Sequence, residues 1–329
     1  MRLAILGNPD SWYAQDVRRA AADRHEVVAL PFSEIQAALG MRPDAPPSAL
    51  LNEPPRPHSP AGTHSLSNLP TNSSINSSIS TAECGLDHFD AVLVRTMPPG
   101  SLEQVVFRMD TLARLEAAGV LVVNSPKSIE VAVDKYLASA RLEAAGLPTP
   151  PTIVCQTVDD AMRAFEQLGG DVVLKPLFGA EGRGIARLTD ENLALRAFKM
   201  LEQLGAVLYL QQFIPHPGHD LRLFVLAGRV WGMRRRNETD WRTNVSRGAT
   251  TEPIEMTERL AELACRAADA VGAIVAGVDV LPALSGGEYV LEVNAVPGWK
   301  ALARTLKVDI AAELLDTISH RLQSRTNQS

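Results

Sequence analysis

Short apolar runs alternate with longer amphipathic stretches along most of the chain. Arg2–Leu6 is apolar and breaks at Gly7-Asn8-Pro9; a helix-like stretch around Ser11–Arg24 follows, then a second apolar run at Glu26–Leu30. Two short runs bounded by turn residues and joined through a helix predict a β-α-β opening on a parallel sheet. The pattern resumes with FDAVLVRT (89–96), a helix near Leu102–Ala118 and a strand in VLVVNSP (120–126). Together these predict an N-terminal α/β lobe over residues 1–125. Ser128–Ala145 predicts one helix, stopped by Gly146 with Pro148 beyond it. A strand at Thr152–Gln156, a helix at Val158–Leu168 and the strand VVLKP (172–176) come next. Further strands are predicted in LYLQQFI (208–214), DLRLFVLAG (220–228), AGVDV (276–280) and YVLEVNAVPG (289–298). The expected division is a central α+β lobe at 126–207 and a C-terminal α+β lobe at 208–329.

One segment lacks this periodicity. Residues 42–82 are dominated by Pro, Ser and Asn. Such a composition buries too little apolar surface to offset the entropy of ordering, so a flexible surface insertion is expected.

Composition narrows the function classes. At 329 residues, 46% hydrophobic and 21% charged, the chain reads as an ordinary globular protein of several lobes. A net charge of −6 argues against a general nucleic-acid or membrane-surface binder while leaving room for a local basic pocket. Cys84, Cys155 and Cys265 are far apart and match no metal-binding spacing, so reduced thiols are expected. With neither a signal peptide nor a spanning apolar window, the expected location is the cytoplasm.

Several polar residues interrupt strands that are otherwise apolar. Lys175 does so in VVLKP, and a lysine buried there needs an anion, either a protein carboxylate or a ligand phosphate. The next stretch, PLFGAEGRGI, carries Gly179, Gly182 and Gly184; this is neither a P-loop nor a GxGxxG fingerprint, but it would let backbone amides approach phosphates. An ordinary turn is the plainer alternative. Asp220 and Arg222 share one face of their strand, as a surface ion pair or as ribose and phosphate contacts. Five arginines, Arg234, Arg235, Arg236, Arg242 and Arg247, fall within fourteen residues, making either a solvated loop or an anion site. Asp279 in AGVDV can be brought back antiparallel beside Glu292 and Asn294 by the loop LPALSGG. Three oxygen-bearing side chains converging in an apolar setting suit a hard cation such as Mg²⁺.

Taken in order, VDKYLASARLEAAGLPTPPT, VVLKPLFGAEGRGI, LYLQQFI, DLRLFVLAG, RRRNETDWRTNVSRGA, AGVDV and LEVNAVPG resemble the ATP-grasp superfamily, and within it the RimK-like amino-acid ligases, from about residue 90 to the end. The resemblance implies three lobes, with ATP held between the last two. Lys135 and Lys175 match phosphate-contacting lysines, and Gly179–Gly184 the phosphate-covering loop. Gln212 and the backbone of Phe213 fall where adenine is read, although the family usually carries glutamate at the first of these. Asp220 matches the ribose contact; Arg242 and Asn244 count among the cofactor-binding positions, Asn244 near the transferred phosphate and substrate carboxylate. Asp279, Glu292 and Asn294 match ligands of Mg²⁺ or Mn²⁺, with two ions expected. Arg222, Arg235 and Arg247 match groups that face the transferred phosphate and the substrate carboxylate.

The implied reaction is amide formation through an acyl phosphate: a carboxylate attacks the γ-phosphate of ATP, and an amine then displaces phosphate. The stretch NSPKSIEVAVDKYLASARLEAAGLPTPPTIVCQ is similar to ligases associated with tetrahydromethanopterin-type cofactors. That implies L-glutamate, or another amino acid, added to a pterin-cofactor carboxylate, with a homo-oligomer as the expected assembly and no role for nucleic acid or a membrane. Glutamate ligation to a peptide or protein C-terminus and a non-catalytic ATP-binding module are the competing expectations. A nicotinamide dehydrogenase is disfavoured because GxGxxG is missing.

Overall fold

The computed structural model describes residues 1–41, 76–80, 85–179, 182–245 and 248–327. The first lobe is built from β1 (Arg2–Leu6), α1 (Trp12–Ala21), β2 (Glu26–Leu30), β3 (Gln36–Met41), β4 (Asn76–Ser80), β5 (Ala91–Val94), α2 (Leu102–Ala117) and β6 (Leu121–Val123). Its main sheet runs β2-β1-β5-β6, all parallel. Near-continuous apolar strands are what a parallel sheet covered on both faces requires, and Ala91–Val94 is buried throughout.

β3 and β4 form a separate antiparallel ribbon. This corrects the reading of 42–82 as uniformly flexible. Residues 76–80 pair with β3, and Ile79 is only 4% exposed, because it reaches the same apolar cluster as Phe32 and Phe89. The rest of that segment, together with Cys84, lies outside the described residues.

The predicted single helix over Ser128–Ala145 is instead two, α3 (Pro126–Val133) and α4 (Lys135–Ala144). Asp134 breaks the pattern: its carboxylate accepts from the amides of Tyr136 and Leu137, so the residue serves as the N-cap of a new helix. The break puts Lys135 on the first turn of α4.

The central sheet holds β7 (Thr152–Cys155), β8 (Val172–Lys175), β9 (Ala186–Leu188) and β10 (Leu208–Gln212), flanked by α5 (Val158–Gln167) and α6 (Glu191–Gln203). Its order is β7-β10-β8-β9. An expected boundary at 207/208 separates β10 from this sheet; the structure puts β10 between β7 and β8, paired antiparallel to both. The third sheet therefore begins with β11 (His219–Leu226), followed by β12 (Arg229–Arg236), β13 (Thr250–Pro253), β14 (Val275–Pro282) and β15 (Glu288–Asn294). It runs β13-β12-β11-β14-β15, with every neighbouring pair antiparallel. Helices α7 (Glu258–Ala270), α8 (Lys300–Leu306) and α9 (Ile310–Thr326) complete the chain.

Core packing joins the first and third lobes. Val92 and Val94 share a cluster with Leu223 and Val278, while Leu3 and Ile5 share another with Phe224, Trp299 and Leu315. The central lobe has its own core around Phe165, Phe198 and Leu210.

Candidate active site

Antiparallel register brings the charged residues of the third sheet together. Arg222 on β11 pairs with Asp279 on β14, which pairs in turn with Glu292 on β15. Side chains alternate across strands, so these three stand in one row on one face, while Leu221, Leu223, Val278, Val280 and Val293 pack into the core from the other. Asn294 lies across from Gly277 on the same face as Glu292, and its Oδ1 accepts from the Val296 amide at 2.8 Å. A register shift between Asp279 and Val280 adds a bulge next to this row. Bulges re-aim side chains and recur beside active sites.

The arginines are held firmly. Arg222 Nη1 donates to Asp279 Oδ1 at 2.6 Å, and Arg235 Nη2 lies 2.9 Å from Asp279 Oδ2. Arg235 Nε also donates to Asp220 Oδ1 at 2.7 Å, and both partners of that pair are buried. Burial opposes the charge on Arg235, but the carboxylates of Asp279 and Asp220 outweigh it and keep the guanidinium protonated. Alternation along β12 explains why only one member of the Arg234-Arg235-Arg236 run turns inward; Arg234 pairs with the exposed Glu252 at 2.7 Å.

Glu292 differs from its neighbours. Among the described residues no group hydrogen-bonds its carboxylate. Burial raises its pKa and the charge on Asp279 adds to this, against the pull of Lys135, Lys175 and Arg222. On Asp279 burial also pushes upward, but Arg222 and Arg235 prevail and hold the carboxyl below its ordinary range. Two close carboxylates with a carboxamide beside them are hard oxygen donors, and Glu292 has free lone pairs; the set fits Mg²⁺.

The two lysines approach from the central lobe. Lys175, at the end of β8, donates to Gln211 Oε1 at 2.6 Å, a neutral partner in place of the expected anion. Burial drives its pKa down to about 8, with the charge on Glu292 opposing the fall. Lys135 donates to the Gly179 carbonyl at 2.7 Å, tying α4 to the glycine-rich loop; burial lowers its pKa too. Gly179, Gly182 and Gly184 have φ of 141°, 68° and 71°, conformations that side chains disfavour.

An open cleft lies between the central and third sheets. It is lined by Lys175, Gly182, Gln212, Phe213, Asp220, Arg235, and by Arg242, Asn244, Asp279 and Glu292. Lys135, Gly179, Gly184, Arg222 and Asn294 do not line it directly, and Arg247 lies outside the described residues. At one end Phe213 is covered by Arg187, whose guanidinium carbon is 3.5 Å from the ring centroid, with Trp241 edge-on at 6.0 Å. The Phe213 amide already donates to the Asp171 carbonyl at 3.0 Å, which leaves the carbonyl of that residue for a ligand. Gln212 Nε2 reaches the Leu168 carbonyl at 3.4 Å. Arg242 pairs with Asp240 at 2.7 Å.

The RimK-like ATP-grasp domain family matches residues 132–318. The chain belongs to that family. The RimK-like chain is 36% identical over 267 residues to the tetrahydromethanopterin:alpha-L-glutamate ligase of Methanosarcina acetivorans, covering 72% of this chain and 82% of that protein. It is 29% identical to the glutamate–LysW ligase ArgX of Sulfurisphaera tokodaii, over 71% of this chain and 83% of the other. Among solved structures, the ATP-grasp ligase PsnB complexed with minimal precursor, Mg and ADP superposes with a TM-score of 0.69 at 21% identity, over 97% of each chain. A RimK domain ATP-grasp protein from Sphaerobacter thermophilus gives 0.64 at 22% identity, over 97% of this chain and 99% of that one. The chain is thus an ATP-dependent ligase of the C–N bond-forming kind.

Three residues of this ligase escape sequence reasoning. Gln211, 3% exposed, orients Lys175 and itself donates to Thr152 Oγ1 at 3.0 Å. Its only sequence signal is a polar residue inside LYLQQFI. Gly277 gives the Arg222 guanidinium its space, since a Cβ there would collide with it. Asn124, 2% exposed, donates to the carbonyls of Val275 (2.6 Å) and Ala295 (2.5 Å) and accepts from the amides of Ile274 (2.7 Å) and Val275 (3.0 Å). It stitches the first lobe to the strands that carry Asp279 and Glu292, a role visible only in three dimensions.

Proposed function

We propose that this ligase joins L-glutamate through an amide bond to a carboxylate of a small acceptor of the reduced-pterin cofactor class. The observation that carries the chemistry is the Arg222–Asp279–Glu292 row of the third sheet, with Lys135 and Lys175 close enough for their charges to act on Glu292. The relatives named above supply the substrate class.

The site has a charge problem to solve. A carboxylate oxygen must bond to the γ-phosphorus while the bond to the β-phosphate oxygen breaks, and both reactants are anions. Lys135, Lys175, Arg222 and Arg235 supply the positive field, preorganised by the contacts described above, so that little reorganisation is needed as charge spreads. Asp279, Glu292 and Asn294 are read as the ligands of two divalent ions, Mg²⁺ or Mn²⁺, which would neutralise phosphate oxygens. The glutamate amine, deprotonated, then bonds to the acyl carbon, the carbon–oxygen bond to phosphate breaks, and phosphate leaves. Arg247 is assigned to the same anion-handling group from its sequence position. Asp220 is read as a ribose contact and as the partner that aims Arg235. Gln212 and Phe213, with Arg242 and Asn244, are read as the nucleotide's remaining contacts. The glycine-rich loop, anchored by Lys135, excludes water from the acyl phosphate.

The free thiols of Cys155 and Cys265 agree with a reducing cytoplasmic setting, and the family resemblance extends to a homo-oligomer, which light scattering on the purified chain would test. The decisive assay supplies ATP, Mg²⁺ and L-glutamate with either tetrahydromethanopterin or short peptides, and follows ADP release and product mass. A gain of one glutamyl residue on the pterin supports the proposal. Turnover with peptides alone would transfer the reading to a polypeptide C-terminus.

A further inference from the structure

Arg95 follows β5 at the C-terminal edge of the first sheet. In the order β2-β1-β5-β6 successive strands are added first to one side of β1 and then to the other, so the winding order switches between β1 and β5. The crevice beyond the C-terminal ends of such neighbouring strands is where open parallel sheets take ligands. Arg95 is fixed there: its amide donates to the Leu6 carbonyl at 2.8 Å, and Arg108 pins the following loop by donating to the Pro98 carbonyl at 2.7 Å.

The Arg95 guanidinium is caged by aromatic rings. Its central carbon lies 4.7 Å from the Tyr13 ring centroid and 4.3 Å from that of Trp299, and the two rings meet edge-on at 4.9 Å. Trp299 is held in turn by its Nε1 donating to Asp16 at 2.9 Å. Arg95 Nε is buried without a hydrogen-bond partner, and no carboxylate of the described residues comes within ion-pairing distance. The other arginines at the site are matched, Arg222 and Arg235 by Asp279 and Arg242 by Asp240. Ring faces compensate part of the cost of half-burying this cation but leave its buried Nε–H unanswered. Burial lowers the pKa of Arg95 only to about 10, so it stays charged at neutral pH. A planar guanidinium with unused donors is matched to a carboxylate.

The location connects this cation to the reaction. Trp299 follows Pro297-Gly298 directly after the strand that carries Glu292 and Asn294, and a Cβ on Gly298 would strike the Tyr13 hydroxyl. Yet none of Arg95, Tyr13 and Trp299 lines the cleft between the central and third sheets. The reacting carboxylate belongs beside the cations of that cleft. Glutamate, attacking through its amine, brings two carboxylates that do not react, and an acidic acceptor can bring more.

We propose that Arg95, clamped between Tyr13 and Trp299, binds a non-reacting carboxylate of a substrate at the carboxyl edge of the first sheet. This rests on the ligase reading above. The test compares wild type, Arg95→Gln and Arg95→Lys by ADP release, varying L-glutamate in one arm and tetrahydromethanopterin in the other. A rise of about 10- to 100-fold in the KM of one substrate for Arg95→Gln, the loss of a charged hydrogen bond, supports the proposal and names the carboxylate's source. An unchanged KM for ATP and partial recovery in Arg95→Lys belong to the same outcome. Unchanged KM values in both arms with a lowered melting temperature would overturn it and make Arg95 an aromatic clamp between lobes. If wild type does not turn over the pterin, the acceptor reading fails separately. L-Glutamate titrated against tryptophan fluorescence with MgADP present then decides: a response lost in Arg95→Gln supports the site, and identical titrations overturn it.

Discussion

Asp279 and Glu292 stand directly opposite each other on β14 and β15, yet among the described residues only Asp279 is paired with arginine. The asymmetry divides their roles. Asp279 organises Arg222 and Arg235, whereas Glu292 keeps its oxygens available and is favoured as an anion only through space, by Lys135, Lys175 and Arg222. A divalent cation would remove the repulsion between the two carboxylates and bring the Glu292 pKa down.

Glu292→Gln tests that division. With the charge removed and the shape kept, kcat/KM for ATP is expected to fall by about 100-fold or more, the scale on which loss of one transition-state-stabilising group is felt. Thermal stability should hold or rise, because a half-buried carboxylate with no hydrogen-bond donor among the described residues is lost. Near-normal turnover in the ADP-release assay would remove Glu292 from the metal site.

Lys175 gives the reaction a basic limb. Only its charged form attracts phosphate, and its pKa is lowered to about 8 from 10.5, first by burial. The profile of kcat/KM for ATP should therefore decline above about pH 8, while Lys175→Arg should extend the plateau. The linked stability runs the other way. The folded state gives up this proton before the unfolded chain does, so stability gains from Lys175 as pH rises from about 8 towards 10.5. Denaturant titrations of wild type and Lys175→Met across that window would reveal the difference.

Asp220 and Arg235 form a buried pair whose rupture is costly. Asp220→Ala removes one of the two carboxylates around Arg235 and should destabilise the fold by about 3–5 kcal/mol. Adding Arg235→Met to the Asp220→Ala chain should recover part of that loss by removing the underpaired cation. Urea unfolding of the two variants gives the comparison. A single-variant cost near zero would mean that water replaces the pair.

Asn124→Ala should cost about 3 kcal/mol or more, because it strands two carbonyls and two amides in a buried seam. The activity of the surviving folded protein should fall as well, since the strands under Asp279 and Glu292 lose their anchor to the first lobe. Circular dichroism melts together with ADP release separate the two effects.

Much of this ligase is legible in one dimension, where local physics is decisive. Apolar runs of strand length, helix caps and glycine stops carry their own signals, and the α/β opening, the antiparallel return from Asp279 to Glu292 and the shared face of Asp220 and Arg222 follow from them. The failures are local signals overruled by context. Asp134 looks like one more polar residue on a long helix until its side chain caps a new one. Asn76–Ser80 looks like linker until Ile79 finds a core to enter. LYLQQFI looks like the start of a third lobe, but β10 completes the second sheet because the open edges of β7 and β8 need a partner.

The sequence by itself determined which residues could carry charge into apolar strands and in what order they occur, since strand period and residue chemistry are properties of the chain. Only the tertiary structure decided the pairings: Arg235 with Asp220 and Asp279, Lys175 with Gln211, Lys135 with Gly179, and Arg95 with two aromatic rings and, among the described residues, no anion. These depend on register and on contacts between lobes distant in sequence. Electrostatic energy at short range in a buried setting is governed by such distances, which composition and spacing do not contain.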